Sequence, residues 1–196
     1  MGVEKRRDVR LLLGKKSSFI LCIQETKLQT CDDAVGDSMW GSSSHSYSFR
    51  LSVGASKGLL TVWDNTEVEV WDSTNGNYFL MIHGRFVKSD EEFFLFNVYA
   101  QCDQLAQQSL WNSLSAQVVL LGDKKVCICG DFNVVRNDEE RRSIRNGNMS
   151  ATYNSFNFFI EDNLLVDLPL HGCKFSWFKG DGKSVSRLDR FLLSEE

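Results

Sequence analysis

Lys125-Val-Cys-Ile-Cys-Gly-Asp-Phe-Asn133 is an apolar run that stops at a glycine and a carboxylate. Its apolar part, Lys125–Cys129, has the length and composition of a buried strand. The Gly130-Asp131-Phe132-Asn133 that follows marks the end of that strand, the kind of place where sites are usually built. Two other stretches share the form. Ser18-Phe-Ile-Leu-Cys-Ile-Gln-Glu25 is a short apolar run closed by a carboxylate, and Ser186-Arg-Leu-Asp-Arg-Phe-Leu-Leu193 carries Asp189 inside an apolar run. Carboxylates rarely enter apolar surroundings unless they are paired or bound to a cation. Carboxylates converging from separate strand ends suit a hard cation such as magnesium, which takes oxygen ligands and keeps waters for a phosphate substrate. Such a cation can neutralise a phosphodiester and stabilise its leaving oxygen.

Each stretch also has a plainer reading. A glutamate at a strand end is more often a solvated loop residue or a helix cap. Gly, Asp and Asn favour turns for local reasons, so Gly130–Asn133 could be a turn and nothing more. Asp189 lies between Arg187 and Arg190, which reads equally as a surface charge cluster. His45 sits in a Ser-rich loop, and His83 and His171 read as structural or exposed. The Phe and Trp residues read as core.

Working outward, residues 4–14 form a helix with Val9, Leu12 and Leu13 on one face. Strands are expected at 18–25, 46–53, 58–63, 67–72 and 78–88, with a hairpin turn at Ser73-Thr-Asn-Gly-Asn77. Residues 92–99 are strongly β-prone. Residues 104–121 and 151–163 read as helices. Two last strands, 174–178 and 187–193, flank a turn at Lys179–Lys183. Strands come first, then strands and helices mixed, with no repeat and no linker. This is the pattern of an α/β (α+β) domain in which helices cover packed sheets, a single domain over residues 1–196.

Bulk properties narrow the function. The chain has 196 residues, 42% hydrophobic and 12% aromatic, enough for a sizeable core. Its net charge of -4 argues against a general nucleic-acid coater, which is usually basic. Action on a polyanion then requires divalent cations and a local Lys/Arg cluster. No apolar run approaches the roughly 20 residues that span a bilayer. The start shows no signal-peptide core, and the 6 cysteines read as reduced thiols without zinc spacing. The expected setting is intracellular, nucleus or cytoplasm, without membrane association.

Four segments in order carry a resemblance: Ile23-Gln-Glu-Thr-Lys27, Asn97-Val-Tyr99, Gly130-Asp-Phe-Asn133 and Ser186-Arg-Leu-Asp-Arg-Phe-Leu192. The series resembles the exonuclease III-like branch of the endonuclease/exonuclease/phosphatase superfamily. Its wording is closest to the endonuclease domain of plant LINE-type (non-LTR) retrotransposons, with support from Glu4–Arg7, Val53–Leu60, Gly130–Arg136 and Asp167–Leu170. The resemblance implies a DNase I-like, two-layer β-sandwich flanked by helices. It implies Mg2+ (or Mn2+) as cofactor, DNA as substrate and phosphodiester hydrolysis as reaction. By resemblance, Glu25 is the metal-ligand glutamate, and Tyr99 is the tyrosine that approaches the scissile phosphate. Asp131 positions or deprotonates the attacking water, Asn133 holds the phosphate, and Asp189 orients a catalytic histidine. The family opens with a Trp-Asn strand and closes with Ser-Asp-His, and neither is in this chain. The expectation is a domain truncated at both ends, with terminal strands missing and activity weak or absent. Gln101, and Gln107-Gln108-Ser109, also depart from the family's wording. The alternatives are a non-catalytic retroelement-derived remnant and a phosphatase of the same superfamily.

Overall fold

The computed structural model describes residues 3–15, 18–28, 31–41, 44–52, 57–142, 150–180 and 183–195. Met1-Gly2, Val53–Ser56 of the resemblance and Asp181-Gly182 of the expected last turn lie outside the described residues. The chain divides into two compact units, Met1–Asn97 and Val98–Glu196.

In the first unit, α1 (Val3–Lys15) and α2 (Asp33–Trp40) accompany two sets of strands. One sheet has β3 (Gly58–Asp64) at its centre, between β1 (Ile20–Thr26) and β2 (His45–Arg50). All its pairings are antiparallel. Its core is Leu60 and Val62 of β3 with Val35 and Met39 of α2, and Val9 of α1 packs against them. Leu12, expected on the same apolar face as Val9, is 63% exposed, so only part of that face is used. Sequence periodicity gave no sign of α2, yet Asp32 caps it, its carboxylate accepting from the Val35 amide at 3.1 Å. His45, expected in a loop, is the first residue of β2.

The other strands of this unit are β4 (Val68–Asn75), β5 (Phe79–Phe86) and β6 (Glu92–Tyr99), paired in that order. The β4–β5 hairpin is tighter than expected. Asn75 pairs with Leu80, and the chain reverses through Gly76-Asn77-Tyr78, where Tyr78 takes φ 67°. Leu80 and Ile82 on β5 are fully buried, as are Leu60 and Val62 on β3. The unit boundary falls inside β6, after Asn97.

The second unit begins with Val98 and Tyr99, the end of β6. Next come α3 (Gln104–Leu121) and β7 (Val126–Asp131), so a helix connects neighbouring strands as a crossover does. Asp103 caps α3, accepting from the Ala106 amide at 2.9 Å. A short 3-10 turn (Asp138–Glu140), β8 (Arg141–Arg142), α4 (Ser150–Asp162) and β9 (Leu165–Asp167) follow. The last elements are β10 (Trp177–Phe178), β11 (Val185–Ser186) and β12 (Asp189–Ser194). β12 lies between β7 and β9, antiparallel to both. The expected strand at 174–178 shrinks to two residues, which pair with β11.

Helices and sheet meet here in an aromatic cluster. Trp111 of α3 stacks on Phe159 at 5.2 Å and lies 5.0 Å from Phe156, and Phe132 follows β7 into the same group. Burying each ring contributes about 1.5–3 kcal/mol, with further gains from ring geometry. Much of the aromatic content is core, as expected, but Trp71, Phe158, Phe178 and Phe191 are exposed. Among the described residues no helix is long and apolar enough to cross a membrane. The fold class is α/β, mixed sheets flanked by helices.

Candidate active site

The second unit brings Tyr99, Asp131, Asn133 and Asp189 together at one end of its strands. β7 continues through the Gly-Asp pair, so Asp131 is its last strand residue. Gly130 has φ 136°, and a side chain there would run into the Val98 carbonyl of β6. Only glycine lets the two strands approach this closely. The Ala100 amide then donates to the Asp131 carbonyl at 2.8 Å, which sets Tyr99 beside the end of β7.

Asp189 is the first residue of β12, and its register partner on β7 is Asp131. Directly opposed residues of an antiparallel pair point to the same face, with Cβ atoms roughly 5 Å apart. That register gathers both carboxylates on one face at the end of the two strands. Asp131 is also held from its other side, its Oδ1 accepting from the Asn133 amide at 2.9 Å. Asn133 has φ 49°, a left-handed conformation that asparagine tolerates better than most residues. Its Nδ2 donates to the Ala100 carbonyl at 2.7 Å, which turns the carboxamide oxygen the other way.

Three positioning contacts here were not foreseen from the sequence. Gln107, buried on α3, donates to the Asn133 carbonyl at 3.4 Å. It falls in the helix's buried row with Leu110, Trp111 and Leu114, and a polar residue in such a row is the signal that could have marked it. The Ser176 hydroxyl accepts from the Leu188 and Asp189 amides, both at 3.0 Å, and so fixes the entry to β12. The Phe132 amide donates to the Leu188 carbonyl at 2.9 Å, which ties the two motifs together.

Arg187 and Arg190 do not form a surface cluster around Asp189. The Arg190 side chain is 0% exposed and pairs with Glu140 and with Asp167, the latter at 2.6 Å. Arg187 reaches Asp167 at 2.8 Å and Glu140 at 3.3 Å, and Arg136 donates to Asn157 at 2.9 Å and meets Asp167 at 3.4 Å. The Arg190 guanidinium lies 5.5 Å over the Phe156 ring, on the side of β12 away from Asp189. Burial pushes the Glu140 carboxyl up, but the Arg190 hydrogen bond and the Arg136 amide outweigh it, so its pKa lies below the ordinary value.

Glu25 belongs to the first unit. Ile23 pairs with Leu60 and Thr26 with Gly58, so Gln24 and Glu25 oppose Leu59 alone. That is a β-bulge, a device common beside active sites because it re-aims a side chain. Glu25 itself has φ 54°, which is costly for a residue of its type. Its carboxylate is about half exposed and lies 3.8 Å from the Lys57 ammonium.

Among the described residues no three His, Cys, Asp or Glu side chains come together as a metal cage. The carboxylates of Asp131 and Asp189, opposed across two strands, suit an ion such as magnesium, which is bound through one or two carboxylates and keeps its waters.

A profile of the Endonuclease/Exonuclease/phosphatase family matches residues 2–196. The chain belongs to that family. Among solved structures it is similar to the AP endonuclease LMAP of Leishmania major, with 16% identity and TM-score 0.75 over 98% of this chain and 75% of that one. The APE2 catalytic domain of Xenopus laevis gives 15% identity and TM-score 0.72, covering 99% and 80%. A mannosyl-6-phosphatase of Bacteroides thetaiotaomicron gives 15% and 0.68, covering 100% and 78%. At such identities the likeness establishes the fold, a DNase I-like α/β sandwich. No curated protein sequence matches. Membership carries the coarse function, hydrolysis of phosphoester bonds of the phosphodiesterase and nuclease type.

Proposed function

We propose that the chain is a magnesium-dependent DNA phosphodiesterase of endonuclease type. The observation that carries this reading is the cross-strand pair Asp131–Asp189, braced by the left-handed Asn133. In this reading Asp131 orients the attacking water and accepts its proton. Asn133 binds a phosphate oxygen through the Nδ2 hydrogen that the Ala100 carbonyl does not take, Tyr99 approaches the scissile phosphate, and Asp189 orients a catalytic histidine. Glu25 supplies a carboxylate to Mg2+ or Mn2+. The bound ion supplies charge neutralisation at the phosphoryl group.

Activity of this 196-residue chain by itself is proposed to be weak. It has 3 histidines, and two of them are committed in the first unit. His83 hydrogen-bonds Glu92 at 2.8 Å, and His45 lies 3.7 Å from Asp37. Descent from a plant LINE-type element is part of the same proposal. A reverse-transcriptase reading frame in the flanking DNA would support it.

Supercoiled plasmid with magnesium provides the test. Slow nicking is expected that stops on chelation and falls at least about a hundredfold in Asp131→Ala, the usual scale for losing one acid–base or charge-stabilising group. Nicking that survives the substitution removes Asp131 from the chemistry. Hydrolysis of a small phosphate monoester without nicking would favour the phosphatase reading. Neither activity, with DNA still bound, would favour a non-catalytic remnant.

A further inference from the structure

Asn97 is fully buried, although it is a carboxamide at the end of an apolar strand. A buried polar group must be satisfied, and its partners tell what it holds in place. Its Nδ2 faces the Ile23 carbonyl at 3.4 Å, the Leu60 carbonyl at 3.1 Å and the Thr61 hydroxyl at 3.2 Å. Its Oδ1 accepts from Gln24 Nε2 at 2.6 Å. These partners are not spread evenly along the sheet. Ile23 is the last regular pair of β1 before the bulge, Leu60 is its register partner, and Gln24 is the first bulged residue. The next residue is Glu25.

The bulge interrupts the β1–β3 ladder, and Glu25 must hold φ 54° against its own preference. A residue in that region persists only where its surroundings over-determine it. The Asn97 carboxamide grips the backbone before Glu25 and, through Gln24, the side chain before it.

We propose that Asn97 and Gln24 form a positioning clamp that sets the Glu25 carboxylate for its divalent cation. The inference rests on the reading of Glu25 as metal ligand. Groups that orient a ligand typically cost ten- to a hundredfold in metal affinity when removed. A residue that only stabilises the sheet would not weaken metal binding through Glu25 in particular.

A double-mutant cycle separates the two roles. Mn2+ affinity is followed by water-proton relaxation, titrating to millimolar metal, with thermal melts alongside. Glu25→Ala is expected to weaken binding at least tenfold. Gln24→Met, which keeps chain length at a part-buried position, and Asn97→Ala are each expected to weaken it about tenfold, and to have no further effect when Glu25 is already alanine. Equal losses with and without Glu25, or unchanged affinity in a folded Gln24→Met, would overturn the clamp. Asn97→Ala risks the fold, and Gln24→Met then decides alone. If Glu25→Ala binds Mn2+ as the wild type does, the metal reading of Glu25 falls, and the clamp falls with it.

Discussion

Glu140 shows what a single buried charge does here. It receives Arg190, Arg187 and the Arg136 amide, and its pKa is held below the ordinary carboxylate range. A carboxylate whose folded pKa is depressed contributes stability above its unfolded value and loses it as pH falls through the folded one. Urea midpoints should therefore drop as pH is lowered from the ordinary carboxylate range. In Glu140→Gln the protein should be about 3 kcal/mol less stable at neutral pH, the scale for breaking a buried pair, and the acid slope should be shallower. An unchanged slope would show that other carboxylates govern the acid limb. Among single residues, the sequence displayed Glu25, Asp131 and Asp189 because each breaks an apolar run. It displayed Asn97 only as part of a motif and Gln107 only as a polar residue in an apolar helix row, and it did not display Glu140. Their importance comes from burial and from partners far along the chain, such as Arg190, and no local pattern encodes those.

At the scale of elements, long segments were legible and short ones were not. β6 lies where β-propensity places it and α3 where helical periodicity does, because eight or more residues carry one signal. β8, β10 and β11 have two residues each, too few for any period, and only the pairing of Trp177 with Ser186 and of Ser186 with Arg141 makes them strands. The opposition of Asp131 and Asp189 is a matter of register between β7 and β12, which neither strand specifies alone. Gly130 was legible as punctuation but not as the contact between β6 and β7. Gly130→Ala should cost at least about 2 kcal/mol, since it combines a disfavoured φ with a clash against backbone. Chemical denaturation measures this, and a loss below 0.5 kcal/mol, the ordinary surface scale, would mean the strands can part without harm.

For the molecule as a whole, family membership and fold rest on independent grounds, the profile match and the structural likeness. The chain's acidic balance leaves the proposed attraction of DNA to local charge and metal rather than to the net field. Folding order should follow sequence separation. The β4–β5 hairpin closes over a few residues, whereas β1 meets β3 across some forty, Leu21 pairing with Val62. Loop closure of that length is slow relative to hairpin formation. In pulsed hydrogen exchange during refolding, amides of Leu80 and Ile82 should gain protection before those of Leu21 and Cys22. Simultaneous protection would point to one concerted nucleus.

The clamp at Asn97 also sets a timetable for synthesis. Ile23 leaves the ribosome 74 residues before the carboxamide that will hold its carbonyl does. At roughly 5–20 residues per second, that is a wait of roughly 4 to 15 seconds. For that interval the apolar Ile20–Ile23 segment lacks its final anchor, and the nascent chain carries a window in which a chaperone can engage it.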